Sequence, residues 1–286
     1  MSLAITGASG ALGRATADLL LRTVDPREVV LTTRRPETLA DLTARGAEAR
    51  AADFGDPRTL ATAFKGVDRM LLISTDAVGD RVEQHRAAIT AAAEAGVGHI
   101  AYTSVPEPVP ANPALVTSDH AETEQALRDS GVRWTMLRNN LYAHMQLAVI
   151  EQAAAAGRLV TNGGTGAAAY VTREDCAAAA VAVLTQEGHE DRAYDITGPE
   201  ALTAAGLAAL AGEVSGREIE LVHVDDAASA AGLRAAGLPD EAAELVSSFG
   251  AATRGGYLAR VTPAVADLTG HPPTALADLV RTTTKG

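Results

Sequence analysis

Three glycines at three-residue spacing follow directly on a short apolar run at the start of the chain. The run ends at Ile5, and the glycines are Gly7, Gly10 and Gly13. In a nucleotide-binding loop the first glycine permits a sharp turn, the second lets the backbone approach a pyrophosphate, and the third lets the next helix pack closely on the sheet. Because the N-terminus of that helix then faces the phosphates, we interpret this segment as a dinucleotide-binding loop. The residues predicted to bind the cofactor here are Gly7, Ala8, Ser9, Gly10, Ala11, Leu12 and Gly13.

Beyond this loop, apolar runs alternate with helical patterns in a βαβ rhythm. The predicted strands are residues 3–6, 28–33, 48–51, 69–74, 99–104 and 134–137, and the helices between them begin near Leu12, Pro36, Pro57, Asp80 and Ser118. Such alternation requires right-handed crossovers and a parallel sheet covered on both faces. We therefore predict an α/β fold, a Rossmann-type doubly wound parallel sheet whose ligand crevice lies at the carboxyl ends of the strands.

After about residue 138 the rhythm loosens into helix-rich stretches with short strands. The helices predicted there are residues 141–156, 173–186, 203–215 and 225–236, and the strands are residues 193–196 and 218–222. We therefore predict an NAD(P)-binding core over residues 1–138. Residues 139–286 are predicted to form a smaller α+β substrate lobe and to return some elements to the core.

The composition is typical of a globular enzyme. The 286 residues are 47% hydrophobic, enough to bury a full core. Cys176 is the single cysteine, which excludes a disulfide framework and a cysteine-based metal cluster. A net charge of -12 disfavours direct binding to nucleic acid, where phosphate neutralisation dominates. With no basic leader and no apolar stretch near the roughly 20 residues of a membrane span, we expect a cytoplasmic protein.

The end of the second predicted strand indicates which dinucleotide is bound. It reads Thr33, Arg34 and Arg35, where an NAD-specific site would place an acid to hold the ribose 2′-hydroxyl. A cation suits the 2′-phosphate of NADPH, so Arg34 is the predicted phosphate contact and NADPH the predicted cofactor, with NADH as the alternative. In the other interpretation both arginines are solvated residues before the helix at Pro36.

Three further residues follow strands at the predicted crevice. Asp53 is expected near the adenine, where its carboxylate accepts from the amino group, or else it belongs to a turn and helix cap. Ser74 and Thr75 follow the fourth strand and are expected beneath the nicotinamide ribose.

A set of stretches, spread in order over nearly the whole chain, carries a family resemblance. They read ITGASGALG, TTRRPE, RAADFGDP, LLISTDAVGDRVEQHR, HIAYTS, SDHAETEQAL, RWTMLRNNLY, VTREDCAAAA and TGHPPTALAD. The chain resembles the NmrA-like atypical short-chain dehydrogenases, and within them the bacterial NAD(P)H:quinone oxidoreductases of type 2. The resemblance implies NADPH held by the glycine loop and Arg34, and a nicotinamide pocket near residues 74–76, 138–142 and Arg173. Members similar to this chain accompany aromatic-polyketide pathways, while some NmrA-like proteins bind dinucleotide as redox sensors without catalysis.

The sequence lacks the tyrosine–lysine pair of ordinary short-chain dehydrogenases. Ordinary short-chain dehydrogenases protonate the new alkoxide with a tyrosine that a lysine four residues later makes more acidic. The only lysines here are Lys65 and Lys285, and neither stands four residues after a tyrosine. A quinone needs no such acid, because its reduction yields a phenolate-like anion, with a conjugate acid of pKa about 10, that hydrogen bonds can hold and solvent can protonate. The missing pair therefore favours a quinone-like aromatic acceptor.

The polar residues predicted to orient the acceptor follow the sixth strand. Asn139 or Asn140 is expected to donate to a quinone oxygen and Tyr142 to stack or donate, while the resemblance implies that Arg138 contacts the cofactor. In another interpretation Asn139 or Asn140 caps the next helix. His120 either protonates the product, since an unperturbed pKa of about 6.5 permits it, or is a surface group in the first turn of a helix.

Other charged residues keep simpler interpretations open. Arg173 either contacts the cofactor or pairs with Asp175 to tie the lobe to the core. Glu122 and Glu124 are expected in a solvated first helical turn, where acids suit the helix dipole. Trp134 is expected in the core.

The sequence therefore predicts an NAD(P)H-dependent oxidoreductase that passes hydride directly to a quinone-like aromatic, with no metal and no flavin. The predicted catalytic residues are Tyr142, His120 and Asn139. The alternatives are a non-catalytic NAD(P)-sensing regulator, and an auxiliary reductase of a monooxygenase system in aromatic polyketide tailoring. The expected partner is a small aromatic substrate, without membrane contact, and a protein partner or a homo-oligomer stays open.

Overall fold

The computed structural model describes residues 1–77 and 79–283. Its strands are β1 (Leu3–Ile5), β2 (Val29–Thr33), β3 (Glu48–Ala51), β4 (Arg69–Leu72), β5 (His99–Ser104), β6 (Arg133–Asn139), β7 (Arg158–Thr161), β8 (Ala167–Ala168), β9 (Arg192–Ile196), β10 (Leu202–Thr203) and β11 (Glu220–His223). Its helices are α1 (Ala11–Thr23), α2 (Ala40–Thr43), α3 (Leu60–Ala63), α4 (Arg81–Glu94), α5 (Thr117–Asp129), α6 (Ala143–Ala156), α7 (Arg173–Thr185), α8 (Ala204–Ser215), α9 (Asp226–Ala235), α10 (Asp240–Arg254), α11 (Ala264–Thr269) and α12 (Leu276–Thr283).

Seven strands form one parallel sheet in the order β3-β2-β1-β4-β5-β6-β9. The predicted doubly wound α/β fold is confirmed, with the strand order reversing between β1 and β4. Within β1, Leu3 and Ile5 join the core on one face, and Ala4 joins the core on the other. A ligand crevice forms outside the carboxyl ends of the strands at such a reversal.

Helices cover both faces of the sheet. One core packs α1, α7 and α11 against it, and the other packs α3, α4 and α5. A third core lies among α6, α8, α10 and α12, beside the small sheets β7-β11 and β8-β10, and we call the elements around this core the lobe. From the second half of the chain, β9 completes the main sheet and α7 packs on α1. The division of the chain at residue 138 stays a prediction.

Several elements differ from their predicted lengths. The helices predicted at Pro36 and Pro57 begin as 3-10 turns and continue only as the short α2 and α3. Gly46, with φ of 106°, and Gly66, with φ of 72°, then turn the chain toward the next strand. Strand β6 runs beyond its predicted end to Asn139, because β9 pairs with it up to that residue. In the described ranges no helix is both long and apolar enough to cross a membrane.

Candidate active site

The glycine loop joins β1 to α1 and forms a cradle for an anion. Gly7 adopts a φ of +60°, in the left-handed region that favours glycine. A Cβ on Gly13 would lie 2.8 Å from the Cα of Ala8 and closer still to the carbonyl oxygen of Gly7, so only glycine lets α1 approach β1 this closely. Gly10 caps α1 without a side-chain hydrogen bond, and the first turn contains no acid. The positive end of the helix dipole is therefore left for an external anion.

A groove of about 390 Å³ opens beside this loop, where the strand order reverses, and we call it the loop groove. Of the residues predicted to bind the cofactor, those that line it are Gly7, Ser9, Gly10, Arg34, Asp53, Ser74 and Thr75. Ala8, Leu12 and Gly13 are buried beneath the loop, whereas Ala11 is exposed on the first turn of α1. The hydroxyls of Thr32 and Thr75, which also line the groove, are buried without a hydrogen-bond partner among the described residues. Since such orphaned atoms are rare, they indicate a polar ligand.

Arg34 lies at the edge of the loop groove, directly after β2. Its side chain is exposed and forms no ion pair in the part of the chain that the structure describes. Asp53 also lines the groove, while its carboxylate accepts from the amide of Gly55 at 2.9 Å, so it serves a turn as well. An unpaired guanidinium beside the helix N-terminus fits a dinucleotide with an additional phosphate.

A second cavity, of about 200 Å³, adjoins the loop groove, and Ser74 lines both. We call it the inner cavity; it lies between the carboxyl ends of β5 and β6 and helix α10 with the segment that follows it. All three predicted catalytic residues line it, namely His120, Asn139 and Tyr142. Its lining is mostly apolar and includes Val105, Pro106, Leu141, Met145, Phe249 and Leu258. The structure thus brings the predicted catalytic residues together beside the predicted cofactor residues.

His120 lies on α5, but the expectation of a surface group is wrong. Its side chain is 4% exposed, and its Nδ1 lies 2.7 Å from the hydroxyl of Tyr102. Burial, aided by Arg81 and His85, lowers the pKa of His120 to about 3. The ring is therefore uncharged at neutral pH, and its Nε2 makes no hydrogen bond within the described residues. A neutral imidazole can donate a hydrogen bond to a ligand in the inner cavity and so polarise a carbonyl of that ligand.

The two asparagines after β6 have different surroundings. Asn140 ties the strand to the lobe, because its Nδ2 donates to the carbonyl of Leu258 at 3.0 Å. Asn139 is buried in the inner cavity, and its Oδ1 has no partner among the residues described. Neither asparagine caps α6, since Tyr142 occupies the N-cap position, so that interpretation is wrong. Burial raises the pKa of the Tyr142 phenol, which keeps its proton at neutral pH.

Glu124 is 1% exposed, which corrects the expectation of a solvated turn. Arg138 on β6 binds its two carboxylate oxygens at 2.9 and 2.8 Å, and Ser104 and Arg128 donate to it at 2.8 and 2.9 Å. Burial by itself raises the pKa of Glu124, but these hydrogen bonds outweigh it and lower that pKa. Glu124 binds the guanidinium of Arg138, and Arg138 does not line the loop groove. The role of Arg138 in cofactor binding therefore stays a prediction.

Arg173 lies over the ring of Tyr142 and forms no ion pair with Asp175 in the described part of the chain. Its guanidinium lies 5.6 Å from the ring centroid of Tyr142, a residue that lines the inner cavity. Asp175 instead accepts from the hydroxyl of Thr172 at 2.7 Å and from the amide of Thr274 at 2.9 Å. The expected ion pair between Arg173 and Asp175 is absent from the described residues, and contact of Arg173 with the cofactor stays a prediction.

Some residues of the site carry no local sequence signal. Phe249 on α10 and Leu258 close the inner cavity from more than a hundred residues downstream of β6, and their apolar pattern is typical of ordinary core. His85 and Tyr102 are fully buried; Tyr102 on β5 contacts His120, and His85 on α4 contacts Tyr102. Trp134 packs partly buried at the core edge, with the guanidinium of Arg128 5.3 Å from its ring.

Comparison with known proteins agrees with this geometry. The sequence matches a family described as NAD(P)H-binding over residues 7–187. Quinone oxidoreductase 2 of Escherichia coli (strain K12) is 38% identical over 278 residues, covering 97% of each chain. The crystal structure of the NADPH-dependent quinone oxidoreductase from Escherichia coli, complexed with NADPH, matches with a TM-score of 0.94 at 38% identity, covering 98% of this chain and 99% of that one.

Two further relatives match over most of this chain. The NAD(P)H azoreductase of Xenophilus azovorans is 30% identical over 277 residues, covering 97% of this chain and 96% of that one. An NmrA-like family domain-containing oxidoreductase of Aspergillus flavus is 30% identical over 230 residues, covering 78% of this chain and 75% of that one. The predicted resemblance is thereby confirmed. The chain belongs to the NAD(P)H-binding family, among the NmrA-like oxidoreductases related to quinone oxidoreductase 2.

Proposed function

We propose that this protein reduces quinones and similarly electron-poor conjugated acceptors with NADPH. The observation that carries the proposal is the junction at Ser74, where a groove fitted to a dinucleotide adjoins a mostly apolar cavity containing a few polar groups. A cavity of that composition suits a flat aromatic ring. The relatives named for quinone and azo reduction both act on conjugated acceptors of this kind.

The residues of the loop groove fit NADPH. The glycine loop and the N-terminus of α1 would hold the pyrophosphate, and Arg34 would hold the 2′-phosphate. The orphaned hydroxyls of Thr32 and Thr75 would bind polar groups of the dinucleotide. When bound, NADPH supplies a hydride to the acceptor.

The inner cavity provides neutral hydrogen-bonding groups for an acceptor oxygen. His120 presents a free ring nitrogen and Tyr142 a phenol that keeps its proton, whereas the unpartnered amide oxygen of Asn139 can only accept, as from a hydroxyl of the reduced product. Reduction of a quinone develops charge on an oxygen whose conjugate acid has a pKa of about 10. Fixed donors stabilise that oxygen without losing their own protons, and water can protonate it afterwards. The remaining task of the cavity is to position the ring.

The function is tested by following NADPH absorbance while the purified protein is mixed with benzoquinones, naphthoquinones, anthraquinones and an azo dye. We expect saturable oxidation of NADPH, and we expect His120→Ala to lower kcat by about 100-fold, at the lower end of the range for loss of one preorganised donor. The exposed His271→Ala serves as the matched control. Tight NADPH binding by calorimetry, with no turnover on any acceptor, would overturn the proposal and favour a sensor.

Arg34 provides a separate test of cofactor choice. In Arg34→Glu we expect the Kd for NADPH to rise about 10- to 100-fold, because a charged hydrogen bond to the 2′-phosphate is lost, while the Kd for NADH stays nearly constant. The neighbouring Arg35→Glu is the control, since Arg35 is also exposed but does not line the loop groove. Equal effects of the two substitutions would mean that Arg34 acts only through the overall electrostatic field around the cofactor and does not contact the 2′-phosphate.

A further inference from the structure

We propose that a buried chain of hydrogen bonds, running from the backbone of Thr75 through His85 and Tyr102, holds His120 in the tautomer with its proton on Nε2. His85 and Tyr102 are then positioning residues of the reduction. The proposal rests on the proposed function in so far as His120 contacts the acceptor. The tautomers themselves follow from the donors and acceptors of this hydrogen-bond chain.

The hydrogen-bond chain begins at the backbone N–H of Thr75, which can only donate. The backbone N–H of Thr75 donates to Nε2 of His85 at 3.0 Å. Nε2 of His85 therefore carries no proton. Burial lowers the pKa of His85 to about 3, so the ring is uncharged at neutral pH and its single proton is on Nδ1.

Nδ1–H of His85 then sets the direction of the next bonds. It faces the hydroxyl of Thr123 at 2.9 Å and that of Tyr102 at 3.5 Å. The Thr123 hydroxyl donates its own proton to the carbonyl of Asp119 at 2.8 Å, so it accepts from His85. Because Nδ1 of His85 is a donor, Tyr102 cannot donate to it.

The hydroxyl of Thr123 also lies near Tyr102, but it already accepts from His85, so the proton of Tyr102 goes to Nδ1 of His120 at 2.7 Å. Burial raises the pKa of the Tyr102 phenol, so the proton is present at neutral pH. An uncharged His120 that accepts at Nδ1 must carry its own proton on Nε2. That nitrogen has no protein partner in the described ranges, and His120 lines the inner cavity. The arrangement therefore aims a hydrogen-bond donor at the acceptor.

Arg81 holds Thr75, the start of the hydrogen-bond chain, in place. This arginine is 5% exposed, and its Nε donates to the carbonyl of Thr75 at 2.7 Å. Its Nη1 binds the carboxylate of Asp119 at 2.9 Å, on the helix that carries Thr123 and His120. Since Thr75 lines the loop groove, the segment that borders the cofactor site also sets the proton position in the inner cavity.

Long-range proton–nitrogen NMR spectra of the histidine-labelled full chain, without cofactor, test the proposal directly. We expect His85 to be protonated on Nδ1 and His120 on Nε2, assigned with His85→Gln and His120→Gln variants. Both rings in the same tautomer, or His120 protonated on Nδ1, would overturn it. This measurement requires no turnover, so a protein with the expected tautomers and no activity would contradict the proposed function alone.

Tyr102→Phe supplies the kinetic test. We expect kcat for a quinone to fall about 3- to 10-fold, as for loss of one neutral hydrogen bond, with KM nearly unchanged. The Nδ1 resonance of His120 is expected to move toward the value of an unprotonated imidazole nitrogen that accepts no hydrogen bond. Tyr170→Phe is the control, because Tyr170 is a buried tyrosine of the lobe outside this chain of bonds. A Tyr102→Phe protein with an unchanged His120 spectrum and unchanged kcat would refute the positioning role.

Discussion

Acidification from pH 7 to pH 5 is expected to lower the free energy of unfolding of this protein by about 6 kcal/mol, because three histidines are buried without charge. Burial lowers the pKa of His85 to about 3, that of His99 to about 4 and that of His120 to about 3. Nearby arginines act in the same direction, Arg81 on His85 and His120, and Arg69 on His99.

The sign follows from which state binds the protons. The unfolded chain takes them up near the ordinary histidine pKa of about 6.5, whereas the folded chain excludes them until the pH is far lower. The stabilisation is therefore complete above that pH and is lost as the pH falls toward the folded-state values. Three protons bound on unfolding correspond to about 4 kcal/mol per pH unit. Because domains have about 5–15 kcal/mol in total, this loss is a large fraction of the free energy of unfolding at pH 7.

Denaturant unfolding at several pH values between 7.5 and 5 measures this slope. In His99→Gln, which removes one of the three groups and leaves a donor for the hydroxyl of Thr135, the slope is expected to fall by about a third. The exposed His271→Gln should leave it unchanged. A stability that stays flat between pH 6.5 and 5 would mean that the buried histidines are protonated in the folded chain.

Replacing Gly13 with alanine is expected to weaken NADPH binding by at least about 100-fold, since two or more charged hydrogen bonds of about 1.5–3 kcal/mol each are lost. The added Cβ would meet the carbonyl oxygen of Gly7 and lie 2.8 Å from the Cα of Ala8. Both are backbone atoms, so no side-chain rotation relieves the clash. Helix α1 must move away from β1, and the phosphate cradle opens with it. Overpacking of this kind also costs about 1–3 kcal/mol of stability.

Calorimetric titration with NADPH, run well below the melting temperature of each variant, measures the effect on binding. Gly232→Ala is the matched control, because Gly232 is inside helix α9 and a Cβ there meets no atom within 4 Å. The same affinity for NADPH in Gly13→Ala and wild type would mean that the loop accommodates the methyl group and that α1 does not form the phosphate site.

The sheet was predictable because its information is local. Apolar runs of strand length alternate with amphipathic segments, and each pattern depends on neighbours a few residues away. The glycine loop was predictable for the same reason, since the turn at Gly7 and the close approach at Gly13 are both set within fourteen residues of the start. Helices α10 to α12 were missed, although Asp240 and Glu241 open α10 with acids in its first turn.

The environment of the site residues was not predictable in this way. A histidine and a glutamate near the start of α5 read as solvated groups, because the local pattern does not indicate that β5, β6 and α4 pack over them. Arg138, from fourteen residues downstream of Glu124, supplies the paired charge. His85 approaches from thirty-eight residues upstream of Thr123. Such pairings depend on topology and not on spacing.

The sequence by itself determined the sheet and the glycine loop, because each depends on backbone conformation at adjacent positions, and from the charge at Arg34 it predicts a preference for a 2′-phosphate. Only the tertiary structure decided that Arg138 is held by Glu124, that His120 is an uncharged buried ring, and that the lobe closes a cavity against Ser74. The physical reason is that burial and hydrogen-bond direction arise where distant segments meet. Burial there changes the charge of a histidine, and its partners decide which nitrogen keeps the proton.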